Sequence, residues 1–420
     1  MTDLKQYAHE LVDQTMAIDV HSHQGTRGVW QAADLWTLLS YHWLATDIRC
    51  AGCPREVFFD KDIEPKDRVA QAVPFLKWTR NTVNHWCFMN MARDLYGFQH
   101  PYLDESNWEW LWDAVAERVG DPQWEDRVLD LARVEMASAD YHVPARLPQR
   151  YFMYDYGESL FCPALSARAG HCLGRISKEA DSAHAVCEAI TAEVNSLASE
   201  HQLRALHVWA PITWTYSHIE EGRANALIHK ACAGAHMDAS ERDQLASFTA
   251  DCTARACGEL GIVIQLFFGS MTMEDGGPQV SMYRPEWLRA LVPFFSEHRN
   301  TNFDVFMATR VMSHEAAVLA RNYPNLWLSG AWWQGFTPST LSEFFRDRLE
   351  MLPMNKWNAF YSDAYCVEWI YGKVTLSRNR LANSLAEIVD EGLIQRDMMG
   401  DLARAVLYEN PRRLYLGIEG

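Results

Sequence analysis

Apolar residues along this chain fall into two rhythms. Short, nearly continuous apolar or β-branched runs recur at "MAIDV" (16–20), "RVEMAS" (133–138), "SLFCPAL" (159–165), "RALHVWA" (204–210), "GIVIQLFF" (261–268), "FDVFMA" (303–308), "NLWLSG" (325–330) and "NAFYS" (358–362). Between most of them lie stretches such as "SAHAVCEAITAEVNSLASEH", "DQLASFTADCTARACGEL" and "SHEAAVLARNYP", whose apolar positions return at helical spacing. Strands that are apolar on both faces and alternate with amphipathic helices predict a parallel sheet covered on both sides. Eight such units predict an α/β fold of the (β/α)8 TIM-like barrel class rather than an open sheet.

The alternation breaks once. From the first run to the second, residues 20 to 133, the chain spends about 110 residues where a βαβ unit needs a few tens. Within that stretch "DRVAQAVPFLKWTRNTVNHWCFMNMARDLYG" and "SNWEWLWDAVAERV" read as helices, with Pro and Asp supplying the breaks. The expectation is one barrel over 1–420 with a helical insertion over 25–130. An insertion at a βα junction lies over the face where barrel active sites form, so it is a candidate lid.

Composition narrows the partners. A hydrophobic fraction of 48% supports a sizeable core, and 38 Lys+Arg against 55 Asp+Glu give a net charge of −17 with no basic cluster. That balance argues against nucleic acid or an anionic membrane as a partner, and the charge is read as serving solubility. The expected partner, a small-molecule substrate, rests on the candidate chemistry at the strand ends. No apolar run approaches the roughly 18 residues of a membrane span. The opening "MTDLKQYAHELVDQTM" lacks the cationic-then-apolar layout of a secretion signal, so a cytoplasmic protein is expected. Ten cysteines in a chain of 420 do not form a disulfide framework. Cys50 and Cys53 in "RCAGCP" have CxxC spacing but no second pair or finger-spaced histidines nearby, so loop or buried thiols are expected. Seventeen tryptophans are chiefly core filling, with some free to stack on ring-shaped ligands.

Candidate chemistry gathers at the strand ends. His21 and His23 in "AIDVHSHQGT" are two residues apart, and positions i and i+2 of a strand point the same way. If the extended conformation continues past Val20, both imidazoles reach the barrel mouth, where they suit zinc or another borderline divalent metal. The bland alternative is a pair of packed histidines at a loop start. Asp363 in "NAFYSDAY" follows the last strand, which ring closure makes a neighbour of the first, and it supplies a carboxylate ligand; its alternative is an ordinary turn or N-cap aspartate. His207, inside "RALHVWAP", is either a further ligand or a packed residue. His42 and Trp43 in "SYHWLATDIR" bring a proton donor and a stacking surface, or else pack between helices. Trp332 and Trp333 in "SGAWWQGF" follow the seventh strand, one for the substrate pocket and the other for the core.

The HxH after the first strand, the aspartate after the last and the C-terminal "LYENPRRLYL" resemble the amidohydrolase superfamily of metal-dependent barrels. Within it the chain is similar to the uronate (glucuronate) isomerase branch. The closer likeness rests on "LWTLLSYHWLATDIRCAG", where Trp43 stands in place of the usual Tyr, on "NHWCFMNMARDLYG", on "NLWLSGAWWQGF", and on "SDAY" where the family has "TDSR". The resemblance implies that His21, His23 and Asp363 bind one divalent metal ion, zinc in first place and manganese in second. It also implies that Asp363 takes part in proton transfer with His42 and Trp332 near the sugar, and that the protein forms a homo-oligomer. Three departures stand out. Phe267 replaces the histidine of a "QLHxG" strand, Ser166 falls where a carboxylate-holding arginine is usual, and Tyr365 replaces the arginine of "TDSR". Arg168, Arg310 or Lys373 are the cations that would take over from shifted positions.

Several functions remain open on this reading. The first is a metal-dependent aldose–ketose isomerase acting on a sugar or sugar acid, with Asp363 as base and His42 as acid. The second is a metal-dependent hydrolase of a lactone, ester or amide, with a lyase or decarboxylase fitting the same constellation. The third is a barrel that has lost catalysis and binds a sugar or a partner.

Overall fold

The computed structural model describes residues 3–140, 149–165, 181–201, 203–272, 279–284, 286–332 and 336–418. The chain divides into two compact units, one of Met1–Tyr151 with Phe360–Tyr408 and one of Phe152–Ala359 with Glu409–Gly420. The strands in chain order are β1 (Ala17–Gln24), β2 (Val134–Asp140), β3 (Tyr151–Tyr156), β4 (Leu203–Trp209), β5 (Val263–Phe268), β6 (Ser270–Thr272), β7 (Gln279–Ser281), β8 (Phe303–Met307) and β9 (Leu326–Ala331).

In the first unit β1 and β2 pair in parallel, with Ala17 opposite Val134 and Asp19 opposite Ala137. The ladder is irregular between Asp19 and Gln24. There Ser22 takes over, its N–H donating to Ser138 Oγ at 2.6 Å and its hydroxyl to the Ser138 carbonyl at 2.5 Å. Every element between β1 and β2 is helical, including Leu35–Leu39, His42–Cys50, Pro65–Leu76, Val83–Tyr96, Trp108–Ala116 and Trp124–Leu131.

In the second unit β4 pairs in parallel with β3 and β5, and β8 with β5 and β9. All six residues of β5, "VIQLFF", are buried, as expected of a strand covered on both faces. The helices Ala183–His201 and Ala239–Leu260 carry one disulfide, Cys187–Cys252, with a Cα–Cα distance of 5.3 Å. Cys50 and Cys53 are free thiols, one exposed and one buried. Among the described residues no helix is long and apolar enough to cross a membrane.

Two expected strands differ. The run 159–165 is not a strand: it forms a short helix, Glu158–Phe161, and the 3-10 turn Pro163–Leu165. Pro163 has no N–H to give a ladder, and the strand lies upstream at β3, "YFMYDY", where aromatic residues favour extended backbone. The run 358–362 is not a strand; it follows an isolated bridge between Trp357 and Leu328. Asn358 N–H donates to the Leu328 carbonyl in the second unit, and in the first unit Ser362 N–H donates to the His21 carbonyl.

Candidate metal centre

β1 continues four residues past Val20, so His21 and His23 stand within the strand and on one face of it. Their ring centroids are 5.2 Å apart and nearly perpendicular. The intervening Ser22 turns the other way, into its bonds with Ser138, and those bonds hold the strand end in register where the backbone ladder lapses.

Asp363 is delivered to the same face by backbone pairing. The N–H groups of Ser362 and Asp363 donate to the His21 carbonyl at 3.2 and 3.0 Å, and the His23 N–H donates to the Ala364 carbonyl at 2.7 Å. Asp363 has φ +57°, in the left-handed region that few side-chain-bearing residues occupy. That conformation is held by its neighbours. Tyr41 donates its hydroxyl to the Asp363 carbonyl at 3.2 Å. Ser362 donates its N–H and its hydroxyl to the two oxygens of Asp19, at 2.9 and 2.5 Å. Burial pushes the Asp19 carboxyl up to about 7 against the hydrogen bonds from Ser362.

The outcome is a carboxylate with its two oxygens assigned to different neighbours. Asp363 Oδ1 lies 3.2 Å from His23 Nε2 and 3.8 Å from His21 Nε2. Oδ2 lies 3.2 Å from His42 Nε2 and accepts the Trp43 indole N–H at 3.2 Å. His42 and Trp43 open the helix His42–Cys50, directly after Tyr41. Burial alone would raise the Asp363 pKa, but hydrogen bonds from His23 and His42, and their charge when protonated, hold it well below the usual carboxylate range. Burial, the largest influence on His42, lowers its pKa despite Asp363, so a neutral imidazole faces an ionised carboxylate at neutral pH.

His21, His23 and Asp363 each offer a donor atom, all within 4.8 Å of one another. Two imidazoles and a carboxylate form a donor set fit for a borderline divalent cation, and three protein ligands leave coordination positions for a substrate. A second such group, His218, Asp251 and Glu297, lies in the other unit. It differs in character: His218 and Glu297 are largely exposed, and the Tyr216 hydroxyl and His298 bond its carboxylates.

Aromatic rings border the first group. Tyr365 stacks on His23 at 4.8 Å and meets His42 edge-on at 5.3 Å, with 36% of its surface exposed. Tyr41 lies between His42, at 4.6 Å, and Trp369, on which it stacks at 4.1 Å. Lys373 is not presented outward as a substitute for an arginine. It is 1% exposed and donates to Asn84 Oδ1 at 3.0 Å.

The remaining candidates stand in the second unit. The His207 ring on β4 packs against Phe267 at 4.3 Å and Tyr156 at 5.2 Å. Phe267, in place of the family histidine, stacks on Phe306 at 4.3 Å and meets Trp332 edge-on at 4.9 Å. Arg310 is mostly exposed and pairs with Glu343. Trp333, Arg168 and Ser166 lie outside the described residues. The structure thus brings together His21, His23, His42, Trp43, Asp363 and Tyr365. It adds Tyr41, Asp19 and Ser362, for which the sequence offers only the faint signals of a Tyr before His42 and a Ser before Asp363.

Parallel strands alternating with helices define an α/β barrel class, and this chain sets on its first strand an HxH, with an aspartate paired to it, that could hold a metal ion. Comparison with known proteins makes the likeness specific. No protein-family model matches the chain. Over 211 residues it is 25% identical to the uronate isomerase of Nostoc punctiforme, a match covering 47% of this chain and 44% of that enzyme. The matched stretch therefore spans less than half the length of that curated relative. Among solved structures, the uronate isomerase of Thermotoga maritima superposes with a TM-score of 0.85 at 14% identity, covering 99% of this chain and 98% of that one. The glucuronate isomerase of Caulobacter crescentus also gives 0.85, at 17% identity, covering 100% and 96%. The fold is therefore the TIM-like barrel of the uronate isomerases, and the chain resembles them in sequence over about half its length.

Proposed function

We propose that this protein is a metal-dependent isomerase of the uronate isomerase type, which interconverts the aldose and ketose forms of a sugar acid. The observation that carries this reading is the divided Asp363 carboxylate, with Oδ1 toward two imidazoles and Oδ2 toward His42 and Trp43. His21, His23 and Asp363 Oδ1 would hold one divalent ion, zinc or manganese. Such an ion, when bound, polarises the substrate carbonyl and fixes the neighbouring hydroxyl.

The chain's own residues do the rest. Asp363, kept ionised, takes the proton from the carbon beside the carbonyl and returns it to the adjacent carbon. His42, neutral and 3.2 Å from Oδ2, takes the proton of one sugar oxygen and returns it to the other, so an enediolate forms as Asp363 is protonated and collapses as Asp363 gives the proton back. The Trp43 N–H steadies Oδ2 between the two half-steps. Tyr365 offers a ring face to the apolar side of the sugar. The helices between β1 and β2, which carry His42 and Trp43, act as the cover that excludes water during transfer.

NMR of the zinc- or manganese-loaded protein with a panel of hexuronates in deuterated water tests this. The aldose signals should give way to those of the ketose, with label at the carbon next to the carbonyl, and a chelator should stop the change. No conversion of any sugar or sugar acid, together with metal-dependent opening of lactones, would replace isomerase by hydrolase.

A further inference from the structure

Lys373 is buried in the long helix Val367–Asp390, an uncommon place for an ammonium. It bonds Asn84 Oδ1 at 3.0 Å, and Asn84 Nδ2 in turn donates to Asp47 Oδ2 at 3.0 Å. The ammonium also lies 5.0 Å from the Trp43 ring centroid, 5.4 Å from Tyr41 and 5.6 Å from Trp369. Trp43 and Asp47 are one turn apart on the helix His42–Cys50. Lys373 therefore grips that helix twice, at the indole face and, through Asn84, at the next turn.

Burial strips an ammonium of its hydration, and an apolar side chain of equal length would fill this space at lower cost. Its charge is what distinguishes it. A cation over an indole is held by the ring's electrons, and it draws density from the ring, which makes the indole N–H a stronger donor. That N–H is the one donating to Asp363 Oδ2 at 3.2 Å. We infer that Lys373 is a positioning residue: held against the face of Trp43, it aims the indole N–H so that Asp363 keeps Oδ2 turned to His42 while Oδ1 faces His21 and His23. The inference rests on the isomerase reading for its effect on rate, but not for its effect on Trp43.

The test uses the full-length, zinc-loaded protein with Lys373→Met, Lys373→Arg, Trp43→Phe and the Lys373→Met/Trp43→Phe double variant. Fluorine NMR of 5-fluorotryptophan-labelled protein is read first, the line missing in Trp43→Phe being Trp43. That line should move or broaden in Lys373→Met and return toward its original position in Lys373→Arg. With a sugar acid that the unaltered protein converts, Lys373→Met should lower kcat about 10- to 100-fold while KM changes less than about threefold. The double variant should be no slower than Trp43→Phe alone. An unmoved Trp43 line, or losses that multiply in the double variant, would overturn the inference. Should Lys373→Met fail to fold, Asn84→Ala, which removes the ammonium's acceptor, makes the same comparison. If the unaltered protein converts no sugar acid, the isomerase reading fails while the fluorine spectra still decide the role of Lys373.

Discussion

Asp363 combines three properties that rarely meet in one residue: a left-handed backbone, near-complete burial and a carboxylate held ionised. Each is costly alone, and together they aim one oxygen at each pair of partners. Asp363→Asn keeps the shape but removes the charge. Metal retained after dialysis should fall at least tenfold and isomerisation should disappear, while the far-ultraviolet spectrum stays unchanged; elemental analysis and circular dichroism check this. His21, His23 and Asp363 were legible in the sequence because i, i+2 spacing on a strand and an aspartate at a strand end are local patterns. Tyr41 and Asp19 were not, and Lys373 stood out only as a cation for the substrate, not for its place against Trp43. Their roles come from neighbours far away in the sequence, such as Ser362 for Asp19 and Trp43 for Lys373, and appear only when the chain has folded.

At the scale of elements, the strand–helix rhythm revealed most of the sheet, and its failures have physical causes. The run 159–165 is as apolar as the true strands, but Pro163 cannot donate to a ladder, while Asp155 disguises β3 by interrupting its apolar pattern. The end of β5 carries a sharper constraint. Gly269 has φ +85°, and a Cβ there would sit 2.6 Å from Thr309 Cγ2 and 3.2 Å from the Thr309 backbone nitrogen. Gly269→Ala should therefore destabilise the protein by about 2 kcal/mol or more. Urea unfolding should show a lower midpoint with an unchanged slope, and a change below about 0.5 kcal/mol would mean that the β5 turn is not constrained as described.

The whole molecule adds a pH dependence of its own. In the second unit Asp304 is fully buried and accepts from Ser329 at 2.6 Å, from Tyr415 at 2.5 Å and from Asn358 at 3.4 Å. Burial outweighs these bonds and raises its carboxyl to about 6. A folded pKa above the unfolded value of about 3.9 means that the folded protein holds the proton longer, so stability falls as pH rises from about 4 to 6. The shift corresponds to about 3 kcal/mol across that window. Asp304→Asn should flatten the slope, as thermal unfolding between those pH values would show. Barrel class was legible at this scale because, outside the helical stretch between β1 and β2, alternation repeats along the chain. The path of the helices between β1 and β2 was not, since no repeating unit fixes how they pack.

On the proposed function, His21 and His23 from the first strand and Asp363 from beyond the last would surround a single cation. X-ray absorption at the zinc K edge, on protein loaded with one equivalent of zinc, tests it most directly. The expected spectrum has a nitrogen and oxygen shell at roughly 2.0–2.2 Å with outer scattering from two imidazoles, abolished by substituting His21 and His23 with alanine. A shell with one imidazole or none, unchanged by those substitutions, would place the ion elsewhere and contradict it.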